Sequence, residues 1–337
     1  PDIVWIMTDP RFWGWLWDIE NEIRSVAPLV YYHVWDNYPY PTFNRRWYLS
    51  NDYVACISKV TEDIVKTVAP EVESKRITHT VNLDTFSKLP KKQIESFRRE
   101  NNLGVDKSGN LKFMFFWNNR NARRKQSGSV LWWFNEFLNQ VGRDKACLLM
   151  HTEPKDPNGQ DLNAIIDSLE MKDGEIYISN QRLDFADMAM LYNAADCTVN
   201  ISDAEGFGLA TLESLACETP IIVNMTGGLQ EQVTNGKEWY GIGIEPSSKA
   251  VIGSQDVPWI YEDRISKEDF LGALTTMFEA TPKEREKMGK LGRQKVEREN
   301  SLDKYVESWD EVFQYVNAKY GSWETKTGKS WSLTRVL

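Results

Sequence analysis

Residues 205–213, EGFGLATLE, place two glutamates eight positions apart around a Gly-Phe-Gly turn. The run before them, LYNAADCTVNIS, is typical of a helix end followed by a short apolar strand. The run after the turn, ESLACETPIIV, predicts a helix and then a second strand, with Pro220 at the break. The turn therefore opens a helix at the carboxyl end of a strand, which is where small ligands bind in open α/β sheets.

The composition of this turn favours a sugar or a nucleotide as the ligand. Gly206 and Gly208 let backbone N–H groups approach a polar ligand closely, and a helix N-terminus favours a phosphate. The carboxylates of Glu205 and Glu213 suit paired hydroxyls, such as those of a ribose. The alternative is that both glutamates are helix-start and solvated-face residues, which is the usual role of a single glutamate.

Strand and helix patterns alternate through the second half of the chain. Strands are predicted at 111–117, 145–151, 175–179, 197–201 and 220–223, and helices at 129–141, 160–169, 184–194 and 209–217. This alternation predicts a parallel, doubly wound sheet. Three further helices, at 266–280, 282–298 and 302–319, close the chain.

The first half predicts a second Rossmann-like unit. Strands are expected at 2–7, 27–34 and 53–58, and a strand that runs into a loop at 77–86. Helices are expected around 18–25 and from Ser58, and a Tyr/Pro-rich loop at 36–47. We expect an N-terminal domain over 1–88, a linker over 89–110, a C-terminal domain over 111–300, and a returning helix with a tail over 301–337. The chain opens on a strand already under way, so we expect the N-terminal domain to be incomplete.

Composition limits the classes of function. The 337 residues carry 40 Lys and Arg against 49 Asp and Glu, a net charge of −9, which argues against nonspecific binding of polyanions. The four cysteines lack metal-ligand spacing, which predicts free thiols in a reducing compartment and hence a cytoplasmic protein. No apolar run approaches the roughly 20 residues needed to cross a bilayer, so no stable membrane span is expected.

The run from 175 to 233 resembles the C-terminal domain of retaining GT-B glycosyltransferases of group 1 (family 4). Three further blocks agree in order: YYHV at 31–34, HTVNLDTF at 79–86 and NRNARRK at 119–125. One departure is Glu218, where the family usually has glycine. The matching residues are Tyr192, Asn193, Ala194, Ala195, Asp196, Ser202, Glu205–Leu209, Glu213, Pro220, Gly227, Gly228 and Glu231.

The resemblance implies a GT-B fold and roles for individual residues. Glu205 would bond a hydroxyl of the transferred sugar, and Glu213 would hold the ribose. The N–H groups of Phe207, Gly208 and Leu209 would face the sugar and distal phosphate, with Gly206 in the same donor-binding turn. The loop Asn180, Gln181 and Arg182 would bracket the base, and Gly227 and Gly228 would support the sugar site. The domain over 1–88 would be the acceptor side, and the domain over 111–300 would bind the nucleotide sugar.

The resemblance also implies that Arg120 and Lys125 grip the donor diphosphate. Fixed cations aimed at a pyrophosphate leaving group lower the barrier to its departure. No Asp-x-Asp motif stands out, so we expect neither a metal nor any other cofactor. Arg123 and Arg124 are expected at a basic surface turn. His33 is a candidate catalytic contact near the reacting carbon, and a structural role for it stays open.

The predicted function is metal-independent transfer of a hexose from a nucleoside diphosphate sugar to an acceptor hydroxyl, with retained configuration. The donor would be UDP- or GDP-linked. A glycan or small-molecule acceptor is favoured, a nucleic acid base or a lipid stays open, and loop 36–47 is the candidate acceptor cleft. The alternatives are a noncatalytic module that binds a nucleotide sugar or glycan, and a nucleotide-sugar epimerase of the same architecture. The sugar, base, acceptor, linkage and oligomeric state stay open.

Overall fold

The computed structural model describes residues 1–322 and residue 325. Its strands form two parallel sheets and one antiparallel hairpin. The first sheet has the order β1-β2-β3-β4, the second has the order β10-β9-β8-β5-β6-β7, and β11 pairs with β12. The strands are β1 (Val4–Thr8), β2 (Leu29–His33), β3 (Tyr53–Cys56), β4 (Ser74–Arg76), β5 (Phe113–Asn118), β6 (Ala146–His151), β7 (Ile176–Ser179), β8 (Cys197–Asn200), β9 (Ile221–Asn224), β10 (Gly241–Ile244), β11 (Ser248–Ile252) and β12 (Ile260–Arg264).

Helices connect the parallel strands, as βαβ crossovers require. Short 3₁₀ turns lie at Pro10–Phe12, Thr42–Asn44 and Arg123–Lys125. The α-helices are α1 (Gly14–Trp17), α2 (Glu20–Val26), α3 (Arg45–Leu49), α4 (Lys59–Val68), α5 (Lys91–Glu100), α6 (Ser127–Val141), α7 (Leu162–Ser168), α8 (Phe185–Ala194), α9 (Leu209–Ala216), α10 (Leu229–Val233), α11 (Lys267–Glu279), α12 (Pro282–Glu299) and α13 (Leu302–Tyr320).

The second sheet confirms the predicted α/β class and positions the site. Its central strands are buried on both faces, which explains continuous apolar runs such as FMFFW in β5. From β5 the chain winds outward to β6 and β7, and then returns to place β8 on the other side of β5. The strand order therefore reverses between β5 and β8, and the loops after these two strands border one crevice.

The first sheet is smaller and has an exposed edge. Strand β2 is buried throughout, whereas β1 pairs with β2 alone among the strands of the described residues. Trp5 and Met7 on β1 are 40% and 44% exposed. The long helix α13 covers part of this sheet, because the ring of Trp309 makes edge contacts with the rings of Trp5 and Tyr32.

Three expectations about secondary structure were wrong or incomplete. The strand expected at 77–86 lies earlier, at Ser74–Arg76, because three polar residues pair with β3 at an edge where no apolar pattern is needed. Part of the loop expected at 36–47 is helical, as α3 shows. The segment 224–265 carried no assignment, yet it holds α10, β10 and the β11–β12 hairpin.

Two predicted features of the chain are confirmed, the start of α4 and the free cysteines. Helix α4 begins after Ser58, whose hydroxyl accepts a hydrogen bond from the Thr61 N–H at 3.2 Å. Cys56, Cys147, Cys197 and Cys217 are buried free thiols. Within the described residues, no helix combines the length and apolarity that crossing a bilayer requires. The tail expected after Gly321 lies outside the described residues, apart from positions 322 and 325.

Candidate active site

A cleft of about 410 Å³ separates the two halves of the molecule, and each half supplies one wall. We call the wall from the first half the N-wall; it consists of Val34, Asp36, Ile57 and His79. We call the wall from the second half the C-wall; it consists of Asn118, Asn119, Arg120, Arg124, Lys125, Asn200, Glu205, Gly206, Phe207, Gly208, Leu209 and Ala210. The C-wall thus brings together the predicted cationic pair, Glu205 and the Gly-Phe-Gly turn.

The turn at the start of α9 needs both of its glycines. Gly208 has φ +94°, in the left-handed region that side chains avoid. Gly206 lies so close to the first half that a Cβ there would be 2.9 Å from Ile57 Cδ1 and 3.0 Å from the carbonyl oxygen of Val34. The turn is therefore fixed in conformation and presses directly on the N-wall.

Gly227 and Gly228 hold the same turn from behind. The N–H of Gly228 donates to the Glu205 carbonyl at 2.8 Å, and a Cβ on Gly227 would lie 2.1 Å from that oxygen. Neither glycine is among the residues that line the cleft. They support the position of Glu205 rather than facing a ligand.

Lys125 and Glu205 contact each other across the C-wall. The Lys125 ammonium donates to Glu205 Oε2, and the Arg124 guanidinium lies 3.8 Å from the same oxygen. Burial, with a smaller contribution from Arg124, lowers the pKa of Lys125 well below its ordinary value, and the charge of Asp36 opposes this effect. Two cations therefore share one carboxylate in a polar cleft, which leaves positive charge for an anionic ligand.

The other basic residues divide between the cleft and its outer rim. The side chain of Arg120 is 63% exposed and forms a bidentate pair with Asp156, at 2.6 and 3.1 Å. Arg124 was expected on the surface, but it lines the cleft and donates to the Ala204 carbonyl. Arg123 pairs instead with Glu262 beside the hairpin.

Glu213 lies one layer behind the cleft. The Tyr192 hydroxyl donates to its carboxylate at 2.7 Å, and Asn118 Nδ2 donates to the same hydroxyl at 2.8 Å. Burial raises the pKa of Glu213, and the Tyr192 hydrogen bond opposes that shift. Since Asn118 lines the cleft, this chain of hydrogen bonds links Glu213 to it.

The loop after β7 does not join the cleft. Asn180, Gln181 and Arg182 are exposed and are absent from the lining. The neighbouring His151 bonds Ser179 Oγ at 2.9 Å through Nδ1. The segment does lie at the carboxyl edge of the second sheet, two strands from β5.

His33 is not in the cleft, and this corrects its expected place near a reacting carbon. The residue is fully buried, and its imidazole bonds the hydroxyls of Tyr31 at 3.0 Å and Tyr48 at 2.8 Å. Burial lowers the pKa of His33 to about 3. The histidine that lines the cleft is His79, whose ring packs edge-on against Phe207 with centroids 5.1 Å apart.

Sequence reasoning missed the asparagines of the C-wall. Asn200 is 1% exposed; its Oδ1 accepts from the N–H and hydroxyl of Ser202, and its Nδ2 has no protein partner. Asn119 Nδ2 is likewise buried without a partner. Asn200 ends β8 and Asn119 directly follows the neighbouring strand β5, and that placement is the signal that identifies them. Among the described residues, no group of three His, Cys, Asp or Glu side chains is arranged to hold a metal ion.

The second half of the chain matches a known family in sequence. Residues 156–295 match the family described as Glycosyl transferases group 1. A D-inositol 3-phosphate glycosyltransferase of Thermomonospora curvata is 41% identical over 66 residues, which are 19% of this chain and 15% of that protein. An alpha-monoglucosyldiacylglycerol synthase of Streptococcus pneumoniae is 27% identical over 193 residues, which are 56% of this chain and 42% of that protein. The chain spans less than half the length of either relative.

Solved structures with the same fold cover nearly the whole chain. A sucrose-phosphate synthase of Thermosynechococcus elongatus has a TM-score of 0.71 at 18% identity, over 94% of this chain and 74% of that one. The Anabaena protein HepE, solved in complex with UDP-glucose, has a TM-score of 0.71 at 16% identity, over 93% of this chain and 79% of that one. These similarities confirm the GT-B fold expected from the sequence.

Proposed function

The chain carries a group 1 glycosyltransferase domain in a GT-B fold, and we propose that it transfers a hexose from a nucleoside diphosphate sugar to an acceptor hydroxyl. Transfer proceeds with retention of configuration and without a metal ion. The donor lies along the C-wall, and the acceptor enters from the N-wall. A glycan or a small polyol is the favoured acceptor.

The observation that carries this proposal is the clustering of Arg124, Lys125 and Glu205 beside the N-terminus of α9. A diphosphate entering the cleft meets two cations and the positive end of that helix. The Lys125 ammonium then moves from Glu205 to the phosphate. The freed carboxylate accepts hydrogen bonds from hydroxyls of the transferred sugar, which a carboxylate suits.

These groups lower the barrier by stabilising charge on the leaving diphosphate. As the bond from the anomeric carbon to phosphate breaks, negative charge grows on the phosphate oxygen that faces the cations. That oxygen takes the proton of the attacking hydroxyl on the same face of the sugar. No carboxylate of the C-wall acts as a nucleophile in this proposal, because Glu205 accepts hydrogen bonds from the sugar hydroxyls once Lys125 has moved to the phosphate.

We propose a uridine diphosphate sugar as the donor, and a solved structure of similar fold supports this choice. The Anabaena protein was solved with UDP-glucose, which supports a uridine diphosphate sugar for this chain as well. Glu213, held by Tyr192, is the proposed ribose contact. Asn180–Arg182 are the proposed neighbours of the base, at the outer end of the same sheet edge.

The direct test measures nucleotide release from UDP-glucose, UDP-N-acetylglucosamine and GDP-mannose, with EDTA present. The anomeric configuration of the product is read by NMR. We expect release with one of these donors, an α-product from an α-donor, and at least a ~100-fold loss in Glu205→Gln. The matched control is Glu286→Gln, because Glu286 also pairs with a lysine but is exposed on α12.

Three outcomes would contradict parts of this proposal. Binding of a donor without release by any of the three would favour a noncatalytic module. An inverted product would remove the retaining mechanism. Activity that EDTA abolishes and Mg²⁺ restores would remove metal independence while leaving transfer intact.

A further inference from the structure

Asp36 brings a carboxylate from the N-wall to the sugar end of the cleft. It follows β2 by three residues and lines the cleft opposite the cations. A Cβ on Gly206 would lie 3.9 Å from Asp36 Cβ. Asp36 is thus a direct neighbour of the turn that carries Glu205, but it comes from the other half of the molecule.

No side chain among the described residues forms a hydrogen bond or ion pair with the Asp36 carboxylate. The nearby cations are engaged elsewhere, Lys125 with Glu205 and Arg124 with the Ala204 carbonyl. Burial raises the pKa of Asp36, while the charges of Arg124 and Lys125 and its own backbone N–H oppose the shift. A partly desolvated carboxylate without a side-chain partner is costly, so a ligand hydroxyl that donates to it binds favourably.

The loop that carries Asp36 is held on both sides. The Trp35 indole N–H donates to the Asn37 carbonyl at 2.9 Å, and the Thr61 hydroxyl donates to the Trp35 carbonyl at 2.7 Å. From the second half, the N–H of Tyr261 on β12 donates to the Tyr38 carbonyl at 2.6 Å. Asn37 Nδ2 returns a bond to the Tyr261 carbonyl at 3.0 Å. The carboxylate is therefore presented by a fixed backbone, as a positioning group requires.

We propose that Asp36 positions the acceptor by accepting a hydrogen bond from a second O–H of the attacking molecule. This inference rests on the proposed function and narrows the acceptor to molecules with at least two O–H groups, such as polyols, sugars or water. The bond from the anomeric carbon to phosphate oxygen breaks, and a bond from that carbon to the attacking oxygen forms. The attacking proton goes to the departing phosphate, while the second O–H remains intact and bonded to Asp36.

The test compares two small acceptors in the full chain, glycerol and methanol, with the sugar donor that the wild type uses. Methanol has a single O–H, whose proton leaves, so it has nothing to donate to Asp36. We expect Asp36→Asn to lower transfer to glycerol by about tenfold or more, since a hydrogen bond to a charged group is being lost. Transfer to methanol and the Kd for UDP should stay within about twofold.

Two controls separate positioning from folding. Asp36→Glu keeps the carboxylate and should restore part of the preference for glycerol over methanol. Asp256→Asn removes an exposed carboxylate from the β11–β12 connection and should leave both rates unchanged.

Two outcomes would contradict the inference. One is an unchanged ratio of the glycerol rate to the methanol rate in Asp36→Asn, and the other is an equal loss of both rates accompanied by weaker UDP binding. A wild type that turns over no donor would remove the proposed function itself, and this inference with it.

Discussion

The two walls of the cleft differ in how they are built. The C-wall comes largely from two short stretches, 118–125 and 200–210, which follow neighbouring strands of one sheet. The N-wall gathers single residues from separate segments, namely Val34, Asp36, Ile57 and His79. Because the C-wall residues are contiguous in sequence, their backbone donors and charges lie close together. The N-wall residues come from separate loops, so the position of each is determined independently of the others.

The walls also differ in electrostatics. On the C-wall the charges are already paired with one another, as in the contact between Lys125 and Glu205. On the N-wall Asp36 lacks a side-chain partner among the described residues, and burial lowers the pKa of His79 to about 4, so that histidine is neutral near pH 7. The C-wall is therefore suited to gripping a charged donor, and the N-wall to orienting an uncharged partner.

Replacing Lys125 by methionine is expected to have the largest effect on activity. We expect turnover to fall by about 100- to 1,000-fold, because one preorganised charge at a leaving group contributes about 2.7–4 kcal/mol. Affinity for UDP should fall as well. Nucleotide release and calorimetric titration with UDP measure the two effects, and Lys290→Met, at an exposed ion pair on α12, is the matched control. Equal activity of the two variants would show that the C-wall is not the donor site.

The two histidines of the first half should show opposite phenotypes. His33→Phe removes one hydrogen bond from each of the buried hydroxyls of Tyr31 and Tyr48, which keep their bonds to the Thr8 carbonyl and to Asn44. We therefore expect a loss of about 1–3 kcal/mol in the free energy of unfolding, with little change in turnover at room temperature. His79→Ala should lower turnover by about tenfold and cost less stability. Urea denaturation and nucleotide release measure both quantities. The reverse pattern would place His33 in the reaction after all.

The pH dependence of the free energy of unfolding is a second test of the structural role of His33. Burial lowers the pKa of His33 to about 3, so the folded protein keeps the imidazole neutral while the unfolded chain takes up a proton below about pH 6.5. The stability linked to this residue is present above about pH 6.5 and is lost as the pH falls towards 3. From about pH 7.5 to about pH 5, the stability difference between wild type and His33→Phe should narrow by about 1–2 kcal/mol. A stability difference that is the same at both pH values, measured by urea denaturation, would contradict this.

The C-wall could be predicted from the sequence to a greater extent than the N-wall. The turn at 205–208 and two of the cleft's cations, Arg120 and Lys125, were identified because a local pattern of glycines and charges follows an apolar strand. His33 was misplaced because the sequence does not tell which face of a buried strand meets solvent. Its neighbours Tyr31 and Tyr48 use both ring nitrogens.

The rest of the N-wall carried no local signal. Asp36 and His79 are 43 positions apart in the chain, and only the packing of the two halves brings them to one cleft. The β11–β12 hairpin that holds the Asp36 loop was also missed, because its strands are short and half exposed, with no continuous apolar run. The parallel sheets were predictable because buried central strands leave such runs.

Tyr192→Phe is expected to have the smallest effect on activity. It tests whether residues one layer behind the C-wall contribute to donor binding. Removing the hydroxyl releases Glu213 and Asn118 while keeping the ring that packs against Phe116. If Glu213 holds the ribose, the KM for the donor should rise about three- to tenfold with kcat nearly unchanged. The ribose contact itself remains, so only part of the roughly 1.5–3 kcal/mol of a hydrogen bond to a charged group is lost from donor binding. Tyr177→Phe, which loses two backbone hydrogen bonds outside the cleft, controls for stability. A fall in kcat alone would show instead that this chain of hydrogen bonds serves the reacting sugar, and Glu213 would then lose its assignment to the nucleotide.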